Sequence, residues 1–90
     1  MHTMHEMTLQ SGGIVRILRP LHAGKEHFTI VFYSVHDTNA PQEQARLICP
    51  DHGERWRVTT AKWLSARMAE DWIVESEANT ILDLCEYFHC

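Results

Sequence analysis

Residues 44–60 read Q-A-R-L-I-C-P-D-H-G-E-R-W-R-V-T-T, and this segment holds the clearest turn signal and the densest group of reactive side chains in the chain. Its centre is the run Cys49-Pro50-Asp51-His52-Gly53. Proline fixes the backbone angle that the second position of a turn needs, and glycine accepts the positive φ that closes such a loop. The pattern therefore predicts two antiparallel strands, residues 45–49 and 54–59, joined by this turn.

Two β-branched runs upstream predict further strands, residues 14–19 and 28–36. Pro20 ends the first of them, because proline has no amide proton for a sheet. The second is apolar on both faces, which is typical of a strand covered on two sides. Residues 1–12 lead into a Ser-Gly-Gly junction and are interpreted as a flexible tail.

Two helices are predicted after the turn segment, residues 61–72 and 77–88. At about 100° per residue, the core face of the first would carry Ala61, Leu64, Ser65, Met68 and Trp72. The core face of the second would carry Ala78, Ile81, Leu82, Cys85 and Phe88. The predicted fold class is α+β: a mainly antiparallel four-stranded sheet of two hairpins, with two C-terminal helices packed on one face.

Composition limits the function classes. The chain has 90 residues, which suits one domain, and 44% of them are hydrophobic. No apolar run approaches the ~18 residues that a membrane helix needs, and the amino end lacks the pattern of a secretory signal, so we expect a cytoplasmic protein. Three cysteines do not form a disulfide framework, and we expect reduced thiols.

Charge is divided along the sequence. The net charge is −4, all eight basic residues lie between Arg16 and Arg67, and residues 70–90 contain acidic residues but no lysine or arginine. The acidic end is suited to a partner with a basic surface.

A metal hypothesis joins Cys49 and His52 in the turn to Cys85 and His89 on the last helix. Two sulfurs and two nitrogens form a ligand group that suits tetrahedral zinc. Against this, Cys85 lies on the predicted core face, where a free cysteine behaves as a small hydrophobe. We therefore expect no cofactor, with zinc as the alternative.

Enzyme activity is not expected. Cys49 and Arg55 have the spacing of the phosphate-binding loop of cysteine phosphatases, but such a loop must run into a helix, and residues 54–59 are predicted to form a strand. Nucleic-acid binding is an alternative that needs one patch of basic side chains, namely Arg16, Arg46, Arg55 and Arg57.

The function that remains is a non-enzymatic protein-binding module, a small inhibitor or adaptor of a larger complex of the kind that phages and other mobile elements encode. Trp63 is predicted to be exposed on the polar side of the first helix, where an indole suits a protein interface or a homodimer contact. The alternative is that strand or tail residues cover Trp63 and make it part of the core. The predicted partner-binding residues are Trp63, Arg67, Glu70, Asp71, Glu75 and Glu77.

Overall fold

The structure is a computed structural model that describes residues 2–19, 28–35, 40–49 and 55–89, and for residues 2, 88 and 89 it describes the backbone alone. Four strands and two helices follow one another along the chain. The strands are β1 (His2–Thr8), β2 (Ile14–Arg19), β3 (Phe28–Ser34) and β4 (Gln42–Cys49), and the helices are α1 (Arg55–Ala69) and α2 (Glu75–His89).

The four strands form one antiparallel sheet in the order β1-β2-β3-β4. Each strand therefore pairs with its neighbour in sequence, and the predicted α+β class is confirmed. Among the described elements, both helices follow the sheet; α1 contacts β4 and α2 contacts β3. None of the described helices is long and apolar enough to span a membrane.

The core lies between the helices and one face of the sheet. On β3, Phe28, Ile30 and Phe32 alternate toward this face and are almost completely buried. Each neighbouring element adds buried apolar side chains to the same cluster, which includes Val15, Ile17, Cys49, Trp56, Leu64, Ile81 and Cys85. On the opposite face of β3, Thr29 and Val31 are also buried, as the two-sided apolar pattern of this strand predicted.

The predicted strand over residues 54–59 is wrong. Residues 55–59 form the first turns of α1, and residue 54 lies outside the described residues. Trp56 and Val58 alternate with arginines and resemble one face of a strand. A second pattern with helical spacing overrides it, since Trp56, Thr60 and Leu64 recur every four residues and all three are buried. Val58 instead faces outward and is 57% exposed.

The predicted flexible tail is also wrong, because residues 2–8 form β1 at the edge of the sheet. The register of β1 against β2 shifts between Thr3 and His5, which makes Met4 the extra residue of a β-bulge. Met4 and Met7 both pack against the core cluster. The bulge breaks the period of two, so the sequence of this segment does not show the alternation by which strands are recognised.

The buried stripe of α1 differs from the predicted one, whereas that of α2 agrees with it. Because α1 begins earlier and contacts the sheet through Trp56, Thr60 and Leu64, its buried face is rotated by about one residue, ~100°, from the predicted face. Ser65 is consequently exposed. On α2, Ala78, Ile81 and Cys85 are buried as predicted, Leu82 is half-buried, and the side chain of Phe88 lies outside the described residues.

Candidate functional site

A cleft of about 410 Å³ lies where the β1–β2 turn, the end of β3 and the α1–α2 turn meet. Leu9 and Phe32 are its buried apolar lining residues, and Trp72 is half-buried. The exposed lining residues include Val35, Gln44 and Asp71. An apolar lining with a few polar groups is the usual composition of a binding cleft.

The β1–β2 turn forms one wall of the cleft, and two glycines permit its shape. The amide of Leu9 donates to the carbonyl of Gly13 at 2.8 Å, and the amide of Gly12 donates to the carbonyl of Leu9 at 2.9 Å. Gly12 has a φ of 94°, which side chains disfavour. A Cβ atom on Gly13 would lie 2.9 Å from the carbonyl oxygen of Tyr33, so the turn approaches β3 more closely than a side chain allows.

The α1–α2 turn forms the opposite wall. The amide of Trp72 donates to the carbonyl of Arg67 at 3.0 Å, and the amide of Asp71 donates to the carbonyl of Met68 at 2.9 Å. This pair of bonds is the Schellman arrangement that ends many helices, in which glycine usually occupies the left-handed position. Here Asp71 occupies it, with a φ of 62°.

Side-chain hydrogen bonds hold the two turns together. The hydroxyl of Ser11 donates to the carbonyl of Trp72 at 3.0 Å. Glu77 accepts from the amide of Gln10 at 2.8 Å through one carboxylate oxygen, and from the amide of Val74 at 3.0 Å through the other. The walls of the cleft are therefore fixed relative to each other by residues far apart in the sequence.

Beside the cleft lies an aromatic–arginine cluster, which consists of Trp63, Arg67 and Trp72. The guanidinium carbon of Arg67 is 5.0 Å from the ring centre of Trp63 and 5.3 Å from that of Trp72. One guanidinium nitrogen pairs with the carboxylate of Glu70 at 2.9 Å. Cationic side chains at these distances from indole rings are attracted to the rings.

Trp63 is half-buried, so the prediction that it is exposed is wrong. Its ring meets Phe32 edge-on, with ring centres 5.2 Å apart and an interplanar angle of 81°. The rotated face of α1 turns this indole toward the sheet, and Arg67 covers one of its faces. The remaining exposed part of the ring is available for contact.

The structure brings together four of the six predicted partner-binding residues: Trp63, Arg67, Glu70 and Asp71 lie at or near the α1–α2 turn. Glu75 is exposed at the start of α2. Glu77 is different, because only 8% of it is exposed and both carboxylate oxygens accept backbone hydrogen bonds. These two hydrogen bonds indicate that Glu77 holds the β1–β2 turn and the α1–α2 turn together.

The four arginines of the nucleic-acid hypothesis do not form one patch. Arg16 on β2 and Arg46 on β4 lie opposite Val31 in the strand register of the sheet. Arg55 and Arg57 belong instead to the first turn of α1. Arg16, Arg46 and Arg57 each pair with a glutamate, at distances of 2.6 to 2.7 Å. The hydrogen bond that Arg16 donates to Glu6 raises the pKa of Arg16, and the hydrogen bonds that Arg46 donates to Glu43 lower the pKa of Glu43.

Two of the four predicted metal ligands are core residues. Cys49 and Cys85 are fully buried, and the Cys49 sulfur lies 3.5 Å from the hydroxyl of Thr60. His52 and the side chain of His89 lie outside the described residues. Among the side chains that are described, no three of His, Cys, Asp or Glu are grouped as a metal site requires.

Burial determines the chemistry of both thiols. It raises the pKa of Cys49 to about 11, partly offset by the hydrogen bond with Thr60. Burial also raises the pKa of Cys85, and the neighbouring Cys49 raises it further. Nucleophilic attack needs the thiolate, which these environments disfavour.

The phosphate-binding loop requires one correction. The sequence predicted that a strand follows this loop, but Arg55 begins a helix. The loop between Cys49 and Arg55 lies outside the described residues. Cys49 is buried and its pKa is raised, whereas an activated cysteine is partly exposed and has a lowered pKa.

We expect Cys49 and Cys85 to react slowly with a thiol reagent in the folded protein. In a Cys90→Ser background at pH 8, Ellman's reagent should label both at the rate of global opening, and labelling should become fast in denaturant. Since the pKa of Cys49 is raised, its neutral thiol favours the folded state below about pH 9, and this contribution is lost as the pH rises toward 11. Rapid labelling of Cys49 in the native state would contradict its burial.

Sequence reasoning missed the residues that build the cleft. Leu9, Ser11 and Gly13 belong to the segment that was interpreted as the end of a tail and a flexible junction. The Ser-Gly-Gly run does signal a tight turn, but a strand must be recognised on each side of it before that signal indicates a hairpin. The bulge in β1 hides that strand.

Comparison of the chain with protein-family models, with curated proteins and with solved structures finds no match in any of the three.

Proposed function

We propose that this chain is a non-enzymatic protein-binding module, which acts as a small inhibitor or adaptor of a larger complex. The observation that carries the proposal is the position of Arg67, which contacts the rings of Trp63 and Trp72 at the edge of an apolar cleft. Tryptophan and arginine are the residues most enriched among those that dominate binding energy at protein interfaces.

The cluster is suited to binding because its side chains already pack against one another and against the core. Ring contacts with Phe32 hold Trp63 and Trp72, and the side chain of Arg67 is only 16% exposed. Immobilising long flexible side chains at an interface weakens association, and a partner that docks on this cluster avoids that cost. The half-buried rings still offer apolar area and Glu70 offers a charged edge.

The charge around the cluster favours a basic partner. Glu70 and Asp71 follow the cluster in the turn, and Glu75 opens the next helix. Acidic residues on one side of a surface raise the association rate with basic surfaces and disfavour acidic ones. This supports a protein partner over nucleic acid.

The test compares Arg67→Ala with Lys62→Ala, an exposed residue of the same helix. Proteins retained by the wild-type chain from an extract of its source cells are identified, and each is then purified and titrated directly by calorimetry. Arg67→Ala should weaken the binding of the true partner at least ~10-fold, as is typical of an arginine hot spot, and Lys62→Ala should not.

Circular dichroism at the binding temperature controls for folding, because loss of Arg67 also removes packing against two rings. A purified partner that binds the wild-type and the folded Arg67→Ala variant equally would place the interface elsewhere and overturn the role of this cluster.

A further inference from the structure

We infer that the cleft between the two turns binds a cationic side chain with an apolar stem, presented by the protein partner. This inference rests on the proposed function and deepens it, since it names the chemistry of the group that enters the cleft. Three observations carry it: the apolar lining, the charge of Asp71, and the hydrogen bonds that join the two walls.

The apolar lining is suited to the stem of such a side chain. Leu9 and Phe32 are buried beneath the cleft, Trp72 is half-buried in its wall, and Val35 is 43% exposed at its edge. The volume of about 410 Å³ exceeds that of one side chain. Lysine and arginine commonly place their methylene groups along apolar surfaces and keep the charged end in a polar environment.

Asp71 supplies the charge complementarity. It carries the only formal charge among the described residues that line the cleft. Within the described part of the chain its carboxylate forms no hydrogen bond or ion pair, unlike those of Glu6, Glu43, Glu70 and Glu86. An exposed carboxylate at an apolar cleft is suited to a cation that enters from outside.

The backbone conformation of Asp71 fixes the point on the turn from which its side chain projects. Its φ of 62° is the left-handed conformation, which aspartate tolerates better than most residues but less well than glycine. The two hydrogen bonds that end α1 hold the backbone in this conformation. Asparagine tolerates the same conformation, so Asp71→Asn removes the charge and preserves the turn.

The proposal can be tested without knowing the partner. Three probes of matching shape are titrated against the protein by ¹H–¹⁵N NMR: 3-phenylpropionamidinium, 3-phenylpropionamide and 3-phenylpropionate. The cation should bind with a dissociation constant of about 1 to 10 mM, at least ~3-fold more tightly than the neutral amide, and the anion should bind most weakly. The largest shifts should fall on the Trp72 indole and on the amides of Gly12, Gly13 and Asp71.

Variants separate the charge from the cavity. Asp71→Asn should remove the preference for the cation, Asp71→Lys should reverse it in favour of the anion, and Asp83→Asn, an exposed carboxylate on α2, should leave it unchanged. Equal binding of all three probes by the wild-type chain, no binding up to 20 mM, or shifts confined to another surface would overturn the inference.

These outcomes can be distinguished from a failure of the proposed function. If partner binding depends on Arg67 but the probes show no preference for the cation, the cleft does not bind a cationic side chain, and the proposed protein-binding function still holds. If the probes bind as expected but no purified partner depends on Arg67, the cleft remains and the function must be sought in another ligand.

Discussion

Replacing Trp56 with alanine should lower the free energy of unfolding by about 3–5 kcal/mol, the usual loss when a large aromatic residue leaves a core. Trp56 is 7% exposed and meets Phe28 edge-on, with ring centres 5.9 Å apart. A domain of this size has a total stability of roughly 5–13 kcal/mol, so this one substitution would remove much of it. Urea unfolding followed by far-ultraviolet circular dichroism measures the loss.

The control for Trp56→Ala is Val58→Ala. If residues 54–59 formed a strand, Trp56 and Val58 would share one face and both substitutions would be costly. In α1 they point in different directions and Val58 is 57% exposed, so its substitution should change stability by less than about 0.5 kcal/mol. Large losses for both variants would contradict the helix.

Replacing Glu77 with alanine should lower the free energy of unfolding by about 2–4 kcal/mol, although no large apolar side chain is removed from the core. The carboxylate of Glu77 accepts hydrogen bonds from the backbone amides of Gln10 and Val74. Without this carboxylate, both partly buried amides lose their hydrogen-bond partner. The bond to Val74 stabilises the first turn of α2, and the bond to Gln10 holds the β1–β2 turn against that helix. Thermal unfolding of the variant measures the loss.

Glu75→Ala is the matched control for Glu77→Ala. Glu75 lies in the same first turn and is exposed, so its loss removes only an interaction with the helix dipole, about 0.3–1 kcal/mol. Glu77→Gln should fall between the two, because an amide oxygen can still accept one bond. Similar stabilities of the two alanine variants would contradict a structural role for Glu77 and return it to the candidate contact residues.

The sequence was sufficient to predict an element wherever its local residue pattern agreed with its environment in the folded protein. β2 and β3 were predicted because their β-branched residues occur in short runs, and the buried face of α2 was predicted because Ala78, Ile81 and Cys85 recur at helical spacing. The α+β class follows from these elements. A strand that is apolar on both sides also indicated that Val31 would be buried away from the helices.

The candidate site was predictable only in part. The sequence placed Arg67 beside Trp63 and Glu70, because residues three and four apart are neighbours on a helix. It could not place Trp72 next to Arg67, because that contact depends on the turn in which Asp71 adopts a left-handed conformation. The opposite wall of the cleft comes from residues about 60 positions earlier, through the bond from Ser11 to the carbonyl of Trp72.

The sequence by itself determined the fold class, three of the strands (β2, β3 and the part of β4 over residues 45–49) and the buried face of the last helix, because those signals are local. Tertiary structure decided the rest. Contact with the sheet made residues 55–60 helical despite their alternation, and pairing with β2 made residues 2–8 a strand despite the bulge at Met4. Both outcomes depend on partners distant in the chain, and burial against such partners stabilises an element more than its local propensity does.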